Sequence, residues 1–262
     1  MSFAKWIGGS IGWSIGGPIG AIAGFALGAL LDNSFSDPKE KQRVYEDAQQ
    51  NQQTKPGDFG MSLVILSAAV MNADNKIMKS ELDFVKSYLI QQFGAAHAQE
   101  LIMALKEVVK TQVPIRQVCL QIRSHMSHPM RLQLIHYLFG VGFADGVLSR
   151  IELNTLNAVA RYMGISQKDF YSIHAMFGGQ QSQGDGTRFS SSSLGIDQSY
   201  QILEIDNRVN DGDVKKAYRK MAKKYHPDKV AALGPEFQKA AKEKFQKVQQ
   251  AYEEVKKRRG IS

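Results

Sequence analysis

The apolar positions divide the 262-residue chain into five stretches of different character. Residues 7–31 carry no formal charge and lie between Lys5 and Asp32. As a helix this run would be roughly 37 Å long, enough to cross a hydrocarbon core of about 30 Å with some tilt. It predicts a membrane anchor within residues 1–34. Residues 35–57 are polar and Gln-rich and close on Pro56-Gly57, as expected of a juxtamembrane helix running into a linker. From 58 to 178 apolar residues recur every three or four positions, for example Leu63, Leu66, Val70 and Leu82, Val85, Leu89. Strand-like alternation is scarce there, which predicts an all-α unit of six or seven helices. Residues 179–196 are rich in Gly, Ser and Gln and read as a flexible tether. Residues 197–262 return to helical spacing, so the fold class is all-α throughout.

Within the first stretch Gly8, Gly12, Gly16, Gly20, Gly24 and Gly28 stand four apart. In water so many glycines would weaken a helix by up to ~1 kcal/mol each. In a bilayer the backbone has no other hydrogen-bond partner, and overlapping GxxxG units let two helix backbones approach closely. The ridge predicts a homodimer through the anchor, with Pro18 kinking its middle. Lys39, Lys41 and Arg43 outnumber the lone Lys5 across the segment, which places the C-terminal bulk in the cytoplasm at a single-pass inner membrane. A removable signal peptide would need a shorter apolar stretch.

Charge and cysteine content narrow the chemistry. The net charge is +8, and sixteen Lys/Arg against ten Asp/Glu after residue 195 carry most of it. Such a local surplus calls for an acidic partner. Nucleic acid is disfavoured, because no stacking aromatics interleave with the basic positions. Cys119 is the single cysteine, within an apolar helical pattern, so an intramolecular disulfide and Cys-rich zinc modules are excluded. No phosphate-binding glycine loop and no nucleophile–base pair can be assembled, and neither catalysis nor a cofactor is expected.

Two segments in the middle region echo each other. Ala73-Asp74-Asn75-Lys76-Ile77 with Glu81-Leu82 matches Ala144-Asp145-Gly146-Val147-Leu148 with Glu152-Leu153. Each reads as a helix–turn–helix corner. The Asp bonds the turn, Asn75 or Gly146 takes the left-handed conformation, Ile77 or Leu148 enters the core, and Ser149 with Glu152 caps the next helix. The competing reading gathers Asp74, Glu81, Asp145 and Glu152 into an oxygen-rich metal site. His125, His128 and His136 read as structural or solvated, with Pro129 breaking the helix after His128. The duplicated corner in an all-α region of this size resembles the TerB-like fold, named from tellurite-resistance proteins.

The last stretch carries the sharpest pattern. A short helix around Tyr200 and Leu203 precedes Asn210 and Asp213, which are spaced as a variant capping box. The helix they open puts Val214, Ala217, Tyr218, Met221 and Tyr225 on one face and Lys216, Arg219, Lys220 and Lys223 on the other. Pro227 ends it at Tyr225. A second helix from about Pro235 offers Phe237, Ala241, Phe245, Val248, Tyr252 and Val255 as its apolar face. The two must pair antiparallel and display His226-Pro227-Asp228 at the tip. Together these residues resemble the J-domain (DnaJ/Hsp40) family, and the whole chain is similar to membrane-anchored J-domain co-chaperones. The resemblance implies a partner of the Hsp70 (DnaK) type, bound by His226, Pro227, Asp228 and the basic stripe Lys216, Arg219, Lys220 and Lys223. It also implies stimulation of that partner's ATPase, with the TerB-like region regulating or recruiting. Glu204 stands where the family usually has glycine, an exchange expected to matter little. No fourth helix, zinc module or client-binding barrel is expected.

Overall fold

The computed structural model describes residues 17–24, 59–74, 76–178, 195–233 and 235–261, and every regular element among them is helical. Residues 17–24 are helical, and Gly17 has a φ of +60°. Pro18 directly follows that left-handed glycine, and the segment that the expected kink would join on its N-terminal side lies outside the described residues. The amide of Ile19 donates to Gln121 Oε1 at 2.9 Å. No helix of the described residues is long and apolar enough to cross a membrane. Gly8, Gly12, Gly16 and Gly28 lie outside the described residues, as do the juxtamembrane segment and residues 179–194 of the tether.

The chain divides into two compact units, residues 1–126 with 150–163, and residues 127–149 with 164–262. In the first unit α1 (Phe59–Met71) is buried along every residue after Phe59. The three-and-four spacing suggested one apolar face, but the helix is apolar all round and so takes the centre of its unit. It packs on α2 (Lys79–Val108), α3 (Ile115–His125) and α5 (Arg150–Tyr162). Gly94 interrupts α2 with φ +74° and ψ 164°, and a Cβ there would meet nothing within 4 Å. Its glycine is needed for the bend, not for space. Val118, Cys119 and Ile122 are the buried face of α3. Burial pushes the Cys119 thiol up to about 12, so it behaves as a small hydrophobe.

The second unit holds α4 (His128–Gly142), α6 (Gln167–Gly178), α7 (Ile196–Ile202), α8 (Asp211–Lys224), a 3-10 helix (Pro227–Leu233) and α9 (Pro235–Arg259). The chain breaks before His128, not after it. α3 has already ended at His125, and Pro129 lies in the first turn of α4, where proline is favoured. Phe139 of α4 and Phe143 at its C-cap stack on His174 and Phe177 of α6 at centroid separations of 5.5–6.1 Å. Lys247 of α9 lies over the Phe177 ring at 5.3 Å, and burial keeps His174 below the usual imidazole range and so neutral.

Candidate partner-binding site

The helical hairpin that displays residues 226–228 is built from local chemistry. Asn210 is the N-cap of α8: its Oδ1 accepts from the Asp213 amide at 2.9 Å, and its Nδ2 donates to Asp213 Oδ2 at 2.8 Å. The expected capping pair is thus formed, satisfying a donor that would otherwise cost about 1 kcal/mol. Val214, Ala217, Met221 and Tyr225 are buried, and α8 ends at Lys224. Ala241, Lys244, Val248, Ala251 and Val255 are buried among the described side chains of α9, while Phe245 and Tyr252 are half-buried.

Three cross-contacts show that α8 and α9 run antiparallel. Tyr218 stacks on Tyr252 at 4.3 Å, His226 meets Phe245 edge-on at 6.1 Å, and Arg259 Nη1 pairs with Asp211 Oδ1 at 3.1 Å. Moving forward along one helix moves backward along the other, so the 226–228 turn lies at one end of the hairpin. Arg259 closes the opposite end. It also donates from Nε to Tyr200 Oη at 2.7 Å and from Nη2 to the Asn207 carbonyl at 2.5 Å. The sequence showed Arg259 only as the end of a basic run, yet it is a structural clamp.

At the tip, the Lys229 amide donates to the His226 carbonyl at 3.1 Å, and the Asp228 amide faces His226 Nδ1 at 3.3 Å. With its proton on Nε2, His226 accepts that bond and sets the turn. The Asp228 side chain is 86% exposed and lies 3.4 Å from His226 Nδ1. A carboxylate held at the apex of a turn, backed by an imidazole, can accept a charge-assisted bond from an incoming cation. Lys216, Arg219, Lys220 and Lys223 are exposed on α8. The tip and the stripe therefore belong to one hairpin, as the pattern predicted.

One residue overturns an expectation. Glu204 is the single non-glycine with positive φ among the described residues, at +59°. Its amide donates to the Gln201 carbonyl at 3.0 Å and the Ile205 amide to the Tyr200 carbonyl at 3.1 Å, the hydrogen bonds of a left-handed helix ending. Gly260 ends α9 in the same way with φ +66° and the ordinary residue. A glutamate there costs roughly 1–2 kcal/mol. The exchange thus matters more than the sequence suggested. The Glu204 side chain is only 4% exposed and pairs with Lys220 Nζ at 3.4 Å and with Lys224 Nζ. Lys224 also contacts Asp169 Oδ1 on α6. Burial pushes Lys224 down to about 8, which leaves it charged at neutral pH, and pushes the Glu204 carboxyl up against the pull of Lys220. Asp169 did not stand out in the sequence, and Glu204 did so only as a departure from the family's usual glycine. The left-handed ending that marks Glu204 emerges only from backbone geometry.

The repeated corners behave as turns. Asp74 Oδ1 accepts from the Lys76 amide and Asp145 Oδ1 from the Val147 amide, both at 2.9 Å. Gly146 is left-handed at φ +89°, whereas Asn75 lies outside the described residues. Ile77 is 38% exposed and Leu148 only half-buried, so neither fills the core as expected. Glu81 accepts from the Met78 amide at 2.7 Å, and burial together with Glu152 and Asp74 raises its carboxyl to about 7. Glu81 and Glu152 are thus brought together as a buried carboxyl pair. No group of three or more His, Cys, Asp or Glu side chains among the described residues could hold a metal ion. His125 Nδ1 lies 2.9 Å from the Gln121 carbonyl, His128 Nε2 lies 3.8 Å from Asp169 Oδ2, and His136 packs on Phe177 at 4.7 Å.

Three family models match this chain: a DnaJ domain over residues 198–259, the tellurite resistance protein TerB over 60–175, and the transmembrane domain of the co-chaperone DjlA over 1–52. It is 27% identical to the co-chaperone protein DjlA of Haemophilus influenzae, with 98% of each chain covered. It is also 27% identical to that of Vibrio vulnificus, over 80% of this chain and 82% of the relative. The DjlA of Escherichia coli O157:H7 is 32% identical over 56% of this chain and 59% of its own. No solved structure matches.

Proposed function

We propose that the chain, with segments matched to the DjlA transmembrane domain, TerB and DnaJ, is a membrane-anchored J-domain co-chaperone of the DjlA kind and stimulates the ATPase of a cytoplasmic Hsp70 (DnaK) through His226, Pro227 and Asp228. The observation that carries this reading is the exposed Asp228 carboxylate at the hairpin tip, on the same hairpin as the four stripe cations. An arginine of the Hsp70 would donate charge-assisted, bidentate hydrogen bonds to the Asp228 carboxylate. Lys216, Arg219, Lys220 and Lys223 would meet an acidic surface and speed encounter. The hydrolytic groups are those of the Hsp70, and this chain shifts its partner toward the arrangement that hydrolyses ATP. The segment matched to TerB serves as a regulatory or recruiting module, and the glycine ridge dimerises the anchor. The C-terminal bulk faces the cytoplasm.

The test is a single-turnover ATPase assay of a bacterial Hsp70 with the full chain in detergent micelles. His226→Gln should abolish stimulation with the fold intact, since that ring is half-exposed. Asp228→Asn keeps the shape without the charge and should lose most of the effect, tenfold or more. Full stimulation by a folded His226→Gln protein overturns the reading.

A further inference from the structure

Glu204 is held in a conformation that glutamate disfavours, and a backbone held so persists only where its surroundings over-determine it. What surrounds the side chain is cationic: Lys220 at 3.4 Å and Lys224, both from α8, with Lys168 of α6 adding to the field. Lys224 in turn reaches Asp169 of α6, which is itself buried. Asp169 Oδ2 accepts from Ser166 Oγ at 2.7 Å, while its Oδ1 accepts no aligned hydrogen bond, so what it offers Lys224 is charge. Nearby, Ser172 Oγ donates to the Ile202 carbonyl at 2.8 Å, and Gln198 Nε2 donates to the Ala175 carbonyl at 2.5 Å. One buried carboxylate on each side of Lys224 thus joins residues of the segment matched to DnaJ to a helix of the segment matched to TerB.

We propose that Glu204 is an intramolecular latch. Through Lys224 and Asp169 it keeps the hairpin docked on α6, and it withholds Lys220 from the acidic surface of the Hsp70. This inference rests on the co-chaperone reading. The docked state leaves His226 and Asp228 exposed but presents one fewer unpaired cation to the partner. An acidic partner surface competes with Glu204 for Lys220, so binding and release are coupled. The apparent affinity is then lowered by the fraction of molecules that remain latched.

Glu204→Gln keeps the shape and removes the charge; Asp169→Asn does the same at the other end; Glu204→Gly also removes the strained backbone. In the full chain, each should lower the co-chaperone concentration that gives half-maximal Hsp70 stimulation by threefold or more, with the maximal rate unchanged. Association should become more salt-sensitive in Glu204→Gln, because a further free lysine contributes to encounter. Amide exchange in α6 and α7 should quicken in both charge-removing variants. A half-maximal concentration unchanged or raised in Glu204→Gln and Asp169→Asn overturns the latch. If wild type still stimulates and His226→Gln does not, the co-chaperone reading survives that result. Absence of stimulation by wild type overturns both.

Discussion

Glu81 shows how one buried carboxyl links pH to stability. It is 3% exposed, and burial with Glu152 beside it raises its carboxyl from 4.5 to about 7. The raised value means that the folded state holds the proton more tightly than the unfolded chain. Its contribution is fully present below about 4.5 and is lost as pH rises through about 7. Glu81→Gln keeps an acceptor for the Met78 amide and needs no proton. The variant should therefore match wild type in acid and exceed it at pH 8 by roughly 1–3 kcal/mol, read by denaturant titration at both pH values. Asp145 is a different case, since its carboxylate spends itself on the Val147 amide in an exposed turn. Asp145→Ala should cost about 1 kcal/mol of stability. Added calcium or magnesium should leave the thermal midpoint of wild type and variant in place; a metal-dependent rise lost in Asp145→Ala would favour the metal site instead.

Among the elements, the helix over residues 17–24 faces two incompatible environments. Its Ile19 amide donates to Gln121 on α3, and that contact and burial in a bilayer exclude one another. If the anchor drives localisation, Gln121→Ala should leave the chain in the membrane fraction, and deletion of residues 1–34 should move it to the soluble fraction. A Gln121→Ala protein released from membranes would mean that this contact, not the apolar segment, sets the location. The glycine ridge makes a separate claim. Gly16→Leu with Gly20→Leu should preserve insertion and reduce the dimer captured by cross-linking in vesicles, because only small residues permit close backbone approach. An unchanged dimer yield removes the ridge from the interface.

For the molecule as a whole, the question is where the charge goes. Sixteen Lys/Arg lie beyond residue 195, but they are not equivalent. Lys216, Arg219 and Lys223 are exposed, Lys220 is exposed yet paired with Glu204, and Arg259 is folded into a clamp. Lys244 is fully buried, hydrogen-bonded to Gln133 of α4, and held well below the usual ammonium range by that burial. Only the exposed fraction can steer a partner. Lys216→Glu with Lys223→Glu should slow association with Hsp70 about tenfold at low salt. Raising ionic strength should slow wild type but affect the reversed variant less, in stopped-flow binding. Equal salt dependence in the two would remove the stripe from the encounter.

Local information set most of this protein. Three-and-four spacing, Asn210 with Asp213, and Pro227 after His226 fix where helices begin and end, since each acts within a few residues of itself. The hairpin and its displayed tip follow from those signals, as do the two Asp-bonded corners. Residue spacing is silent about what a polar atom meets across a helix interface. It therefore could not show α1 buried on all sides, the buried pairing of Glu81 with Glu152, or Lys244 sunk against Gln133. Nor could it show Glu204 held left-handed between lysines, with Asp169 beyond. Each of these depends on residues far apart in the chain that only packing brings together. There the low-dielectric interior turns a charge that would be solvated on an isolated helix into a buried group that needs a partner.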